Sequence, residues 1–178
     1  MPSTVTARAD KIIVGIADVR VSSDPADTIV TYGLGSCLGI VIYDPVARVA
    51  GMLHAMLPSG QTDPAKAAVN PARFVDTGLP ILFKTAYGLG AQKPRIHLTV
   101  AGGASMGAGG EEGDFFQIGR RNYVELKRML WKNGVVIRDE DVGGSVSRTV
   151  TIDVGTGEVT VKAGGNEFTL SRRFPRRS

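Results

Sequence analysis

The sequence predicts one α+β domain built from many short strands and two long helices. Three observations predict it. Short β-branched and apolar runs bounded by Gly, Pro, Asn or Asp recur along both halves of the chain. Two longer segments between them carry apolar residues at helical spacing. No internal repeat or linker divides the 178 residues, about one domain's worth.

The strands are read in order. Lys11 to Val21 holds Ile12, Ile13 and Val14, then Ile16, Val19 and Val21. Thr28 to Tyr32 is β-branched and aromatic. Leu38 to Tyr43 and Val49 to Leu57 flank Asp44-Pro45-Val46-Ala47, a type I turn signal with Asp first and Pro second. Arg95 to Ala101 alternates through Ile96, Leu98 and Val100. Val135 to Ile137, Val146 to Val154, Glu158 to Lys162 and Glu167 to Leu170 complete the set, with Val154 to Gly157 as a hairpin loop.

The first helix is expected to start at Asn70-Pro71, an N-cap followed by proline at the first helical position. Phe74, Val75, Leu79, Leu82, Phe83, Ala86 and Tyr87 then recur at helical spacing, interrupted by Gly78 and Pro80. The second runs from about Gly119 to Lys132, with Val124, Met129, Leu130 and Trp131 among its apolar positions and Gly134 placed to end it. Between the helices lie Gly102-Gly103-Ala104-Ser105-Met106 and a glycine-rich acidic loop, Gly107 to Asp114. That loop lacks the Gly-Lys-Ser/Thr ending of a phosphate-binding loop.

Apolar residues make up 43% and charged residues 21%, ordinary globular values that argue against disorder. No apolar run reaches the roughly 20 residues of a membrane span. The start, Met1 to Lys11, is polar and lacks the apolar core of a secretory signal, so the expected compartment is the cytoplasm. One cysteine forms no internal disulfide and no thiolate cluster. With only His54 and His97 as imidazoles, neither a metal site nor a cofactor is expected. The net charge of +4 belongs to a tail. Arg172, Arg173, Arg176 and Arg177 account for all of it, and Ser171 to Ser178 is expected to fray. The body shows no basic stripe with interleaved aromatics, so nucleic-acid binding is not expected.

Cys37 and His54 carry the chemistry. Gly33-Leu34-Gly35-Ser36-Cys37 follows one strand and begins the next. Its glycines allow close substrate approach, and the backbone amides around Gly35 and Ser36 are candidates for facing an oxyanion. If Asp44 to Ala47 forms the hairpin loop, Tyr43 faces Arg48, Ile40 faces Gly51, and Cys37 faces His54 on one side of the sheet. A bulge at Gly35 or Gly51 would bring them together by another route. An imidazole there would take the thiol proton and stabilise the thiolate, which attacks an acyl carbon. On this view the thiol titrates below its usual value near 8.5. Thr31, one strand earlier, is placed to orient the ring. Composition alone favours a buried thiol beside a satisfied core histidine, and the hairpin pairing and glycine-rich approach bring the catalytic reading level with it. Ser36 is a lesser nucleophile because it points away from Cys37. His97 reads as a surface or structural histidine.

At these residues the sequence resembles the chemoreceptor glutamine deamidase family, CheD. The resemblance rests on Thr31 to Cys37, the Tyr43-Asp44-Pro45 turn, Gly51-Met52-Leu53-His54-Ala55-Met56-Leu57-Pro58, Gly102 to Met106, Ile118-Gly119-Arg120-Arg121-Asn122, and Asp141-Val142-Gly143-Gly144 with Arg148. The match covers nearly the whole chain, from Lys11 to about Lys162. The resemblance implies a Cys37–His54–Thr31 triad and a layered α/β/β sandwich of mainly antiparallel sheets with both helices on one face. It implies conversion of glutamine side chains on the cytoplasmic helices of chemoreceptors to glutamate, and hydrolysis of receptor methyl esters. It also implies a partner known in some bacteria, the CheC phosphatase. Tyr32 departs from the family's usual leucine, and Gln61 to Pro71, Gly78 to Pro80, Gly107 to Phe116 and the Arg-rich tail fit its pattern poorly. Two competing readings are a regulatory binding module of the chemotaxis system with vestigial catalysis and a generic cysteine esterase.

Overall fold

The structure, a computed structural model, describes residues 10–107 and 116–175. Ten strands form two five-stranded sheets among the described residues. One sheet has the order β1-β3-β8-β9-β10, with β1 Lys11–Val14, β3 Thr28–Leu34, β8 Arg148–Asp153, β9 Val159–Ala163 and β10 Asn166–Ser171. The other has the order β2-β5-β4-β6-β7, with β2 Asp18–Ser22, β4 Leu38–Asp44, β5 Val49–Ala55, β6 His97–Gly102 and β7 Ile137–Val142. Only β1–β3 and β6–β7 pair in parallel. Three α-helices follow: α1 Pro64–Val69, α2 Val75–Gly88 and α3 Ile118–Asn133.

Period-two alternation divides the core into two layers. Leu38, Ile40, Ile42, Val49, Leu53, Leu98 and Val100 face the helices and pack on Leu79, Leu82, Leu126 and Leu130. Val41, Tyr43, Ala50 and Met52 face the other sheet and meet Ile29, Leu34, Val150, Ile152 and Val161. The second sheet is therefore buried on both faces, and β4 and β5 read as continuously buried runs. The result is the expected α/β/β layering, with α2 and α3 on one face.

Several boundaries move for identifiable reasons. The segment Lys11 to Val21 is two strands in different sheets, not one, because Gly15 to Ala17 turns the chain, with Ala17 at φ 54°. Asn70 does cap a turn with Pro71 at its start, but that turn is a short 3₁₀ segment, Pro71–Arg73. The long helix begins at Val75 and carries Pro80 in its second turn without breaking. Gly78 lets α2 approach β5: a Cβ there would stand 3.0 Å from both methyls of Leu53. On α3 the buried stripe is Gly119, Asn122, Leu126 and Leu130, while Val124 and Trp131 face outward. Gly134 ends the helix in the left-handed conformation, as its position predicts.

The basic tail does not begin frayed. Ser171 is buried in β10. Phe174 stacks on Tyr43 at 5.3 Å and on His97 at 4.8 Å between ring centres, with the Arg138 guanidinium 4.4 Å above its ring. Arg176 and Arg177, the polar start through Ala9 and the acidic loop from Ala108 onward lie outside the described residues.

Candidate active site

The two sheets share one continuous stretch of chain. β3 runs in the first sheet, and a bulge between Thr31 and Leu34, with Gly33 at φ 66°, swings it out of register with β8. Gly35, Ser36 and Cys37 then carry the backbone across to β4 in the second sheet. Cys37 thus sits at the crossing, half-buried against the layer between the sheets.

The hairpin register differs from the expected one by two residues. Leu38 pairs with Ala55, Gly39 with His54 and Asp44 with Val49, because the loop is Pro45 to Arg48 rather than Asp44 to Ala47. Asp44 closes β4 instead of opening the turn. Its carboxylate accepts from the backbone N–H groups of Val46, Ala47 and Gln92 and pairs with Arg95 at 2.8 Å. Arg48, at φ 53°, takes the left-handed position at the end of the loop. A shift of two keeps every side chain on its face. Cys37 and His54 therefore still share the face toward the first sheet, but as diagonal neighbours about 7 Å apart at Cβ. Gly39, two residues beyond Cys37 on the same face, is the residue directly opposite His54.

Thr31 completes the arrangement from the other sheet. It is fully buried in mid-β3, paired with Val14 on one side and Val150 on the other. Its hydroxyl lies 2.8 Å from the Val14 carbonyl and 2.7 Å from His54 Nδ1. A hydroxyl has one hydrogen, and a carbonyl can only accept. Thr31 therefore donates to Val14, and Nδ1–H of His54 donates to Thr31. This network assigns the neutral tautomer that leaves Nε2 as a lone-pair acceptor. Nε2 is buried and has no hydrogen-bond partner among the described residues.

Burial pushes the His54 imidazole below its usual titration range. Burial likewise pushes the Cys37 thiol up, with its own backbone N–H pulling weakly the other way. Burial of both groups thus opposes the lowered thiol expected from an imidazole partner.

The crossing loop is held from behind. Gly103 N–H donates to Cys37 O at 2.9 Å and Ala104 N–H to Gly35 O at 2.9 Å. Gly102 permits this approach at φ 112°, since a Cβ there would stand 2.2 Å from Cys37 O. Met106 covers Gly35. Arg148, 5% exposed, pairs with Asp141 at 2.8 Å and donates to Gly143 O at 2.9 Å. It braces the glycine corner after β7. Asn122 donates from Nδ2 to Ser36 O at 3.0 Å and to Met56 O at 2.9 Å.

Thr31, Cys37, His54, Gly35 and Ser36 thus converge on one crossing. His97 lies elsewhere, stacked on Phe174. Asn122 and Arg148 were visible in the sequence only as parts of motif blocks. One signal marked Asn122: it occupies a core position of α3, four residues before Leu126, where the periodicity calls for an apolar side chain.

Fold and site together define a class: a layered α/β/β domain with a Cys–His–Thr constellation shared between its two sheets. The chain belongs to the CheD family, whose model, described as CheD chemotactic sensory transduction, matches residues 56–163. A relative from Syntrophus aciditrophicus, named probable chemoreceptor glutamine deamidase CheD 1, is 47% identical over 154 residues, covering 86% of this chain and 94% of that protein. The relative from Solibacter usitatus, named probable chemoreceptor glutamine deamidase CheD, is 44% identical over 168 residues, covering 94% of this chain and 98% of that one. Among solved structures, Neisseria meningitidis protein NMB0706 aligns over 75% of this chain at 11% identity and a TM-score of 0.39, a likeness too weak to bear on the site.

Proposed function

We propose that this chain is a cytoplasmic protein-glutamine deamidase that converts glutamine side chains of chemoreceptors to glutamate, with Cys37 as nucleophile, His54 as base and acid, and Thr31 as the residue that orients the ring. One observation carries the chemistry. The Val14–Thr31–His54 chain of hydrogen bonds leaves Nε2 unprotonated, buried and, among the described residues, unpartnered on the face that Cys37 shares. The names of the 40–47% identical relatives supply the substrate class.

In the reaction Nε2 takes the Cys37 proton as the sulfur attacks the glutamine side-chain carbonyl carbon. Substrate binding draws this pair to hydrogen-bonding distance, as catalytic contacts tighten in the complex. The tetrahedral oxyanion faces backbone amides of the crossing loop. The imidazolium passes its proton to the amide nitrogen, the C–N bond breaks and ammonia leaves. Water then attacks the thioester with its proton taken by Nε2, the C–S bond breaks, and Cys37 recovers its proton. A receptor methyl ester would enter the same cycle with methanol leaving in place of ammonia.

The test is mass spectrometry of a purified chemoreceptor cytoplasmic fragment after incubation. Each deamidated glutamine gains about one mass unit. Wild-type protein is expected to convert particular glutamines and Cys37→Ala none. Conversion by Cys37→Ala at the wild-type rate overturns the assignment.

A further inference from the structure

Asn122 sits where α3 faces β4, with none of its surface exposed. A polar side chain in a core position is tolerated only if it is hydrogen-bonded. Both bonds it makes among the described residues run to carbonyls beside the candidate site. One goes to Ser36, in the crossing loop, and one to Met56, two residues beyond His54. The amide cannot be turned over, because Oδ1 would then face two carbonyl oxygens. Oδ1 instead remains buried and unpaired among the described residues. Gly119, one turn earlier, lets the helix come this close: a Cβ there would stand 2.5 Å from Gly103 O.

The geometry of the loop says what the Ser36 bond does. No peptide among the described residues is cis. In a trans peptide the N–H points opposite to the preceding carbonyl. The Ser36 carbonyl points at α3, so the Cys37 N–H points away from the helix, on the same residue as the sulfur. A carbonyl carbon bonded to that sulfur would place its oxyanion within reach of the same N–H. The flanking carbonyls of Gly35 and Cys37 are held by main-chain donors, Ala104 N–H and Gly103 N–H. The Ser36–Cys37 peptide alone of the three is held by a side chain. It is therefore the one a substitution can release.

We propose that Asn122 is a positioning residue: by holding the Ser36 carbonyl it aims the Cys37 backbone N–H at the developing oxyanion. This rests on Cys37 being the nucleophile.

The experiment compares Asn122→Leu, which keeps the branched skeleton and removes both donors, and Asn122→Ala, a truncation that adds no bulk, with Leu126→Ala, a core truncation one turn further along α3. Deamidation of a receptor cytoplasmic fragment gives kcat and KM, thermal unfolding gives stability, and iodoacetamide labelling reads Cys37 alone because it is the single cysteine. Alkylation develops no oxyanion. The Asn122 variants should lose about 100-fold in kcat, as removal of one oxyanion donor does, with KM and the alkylation rate each within about threefold of wild type. Leu126→Ala should lose stability and retain kcat. An unchanged kcat in the Asn122 variants overturns the proposal. So does a fall in kcat matched by Leu126→Ala at equal loss of stability, or one accompanied by an equal fall in alkylation. If Asn122→Leu does not fold, Asn122→Ala decides by the same criteria. Cys37→Ala is run alongside. Activity in that variant counts against the nucleophile assignment itself, whereas an inactive Cys37→Ala with fully active Asn122 variants counts against Asn122 alone.

Discussion

Gly39 stands directly opposite His54 across the β4–β5 ladder, in the place where a hairpin read from the sequence puts Cys37. The substitution space there is small. A Cβ on Gly39 would lie 2.7 Å from a methyl of the buried Leu34 and 3.6 Å from the Thr31 methyl. Gly39 therefore keeps open the room in which the His54 ring and Thr31 meet. Gly39→Val should displace the ring and lower deamidation at least tenfold with the fold retained, whereas Gly39→Ala should be milder. Steady-state kinetics beside circular dichroism would check this. Full activity in Gly39→Val would show that the ring does not depend on that room.

Thr31→Val removes the hydroxyl while keeping the shape. The Val14 carbonyl loses its donor and His54 Nδ1–H its acceptor, and both are buried. Stability should fall by about 1–3 kcal/mol. The catalytic loss should be larger, on the order of 100-fold, because the ring is then free to carry its proton on Nε2 and cease to act as a base. Thr31→Ser should restore most of the activity. If valine and serine behave alike, the hydroxyl is not what orients the ring.

The depressed imidazole makes stability depend on pH with a definite sign. Above the unfolded value, roughly 6.5, the ring is neutral in both states. Below it the unfolded chain binds a proton that buried His54 refuses. The contribution is present above roughly pH 6.5 and is lost as pH falls from there toward the depressed folded value. Urea unfolding between about pH 7.5 and 5 should show this slope in wild type and a flatter one in His54→Gln. Equal slopes would remove His54 as its source.

The raised thiol sets a different limb. Burial pushes the Cys37 thiol up in the free protein. Its alkylation rate by iodoacetamide should climb above the usual thiol value near 8.5, not below it. A labelling midpoint near pH 6 would mean that the thiolate–imidazolium pair already exists at rest.

Asp44 controls the acid side. Burial alone would raise its carboxyl, but the Arg95 guanidinium and the N–H groups of Ala47, Gln92 and Val46 outweigh burial and hold it below the usual range. Its contribution is present above the unfolded value, about 3.9, and is lost as pH falls through the lower folded value. Asp44→Asn should cost about 1–3 kcal/mol at neutral pH, the loss expected when a buried acceptor is removed from its donors while the Arg95 side chain keeps partial access to water. Acid unfolding of that variant should lack part of the wild-type pH dependence. A neutral substitution would contradict the burial of this pair.

What the sequence revealed and what it concealed differ in physical kind. Helix α3, its glycine stop and the β4 and β5 strands were legible because they rest on local periodicity and local backbone preference. The face shared by Cys37 and His54 was legible too, since a two-residue error in register leaves faces unchanged. The register itself was not. Asp44 was assigned to the turn because its pairing with Arg95 and Gln92 is long-range. The tail was expected to fray because Phe174 finds Tyr43 and His97 only in the folded chain. The raised thiol and the brace at Asn122 depend on burial and tertiary contact, which no spacing in the chain announces.

The Thr31–His54 hydrogen bond joins a strand of one sheet to a strand of the other. Each sheet can form its own ladders without it. The base therefore acquires its orientation only when the two sheets dock. A chain caught with both sheets made but not yet docked would carry the cysteine and the histidine and still lack an oriented base. Under the proposed roles, activity therefore requires the docked pair of sheets and not either sheet alone.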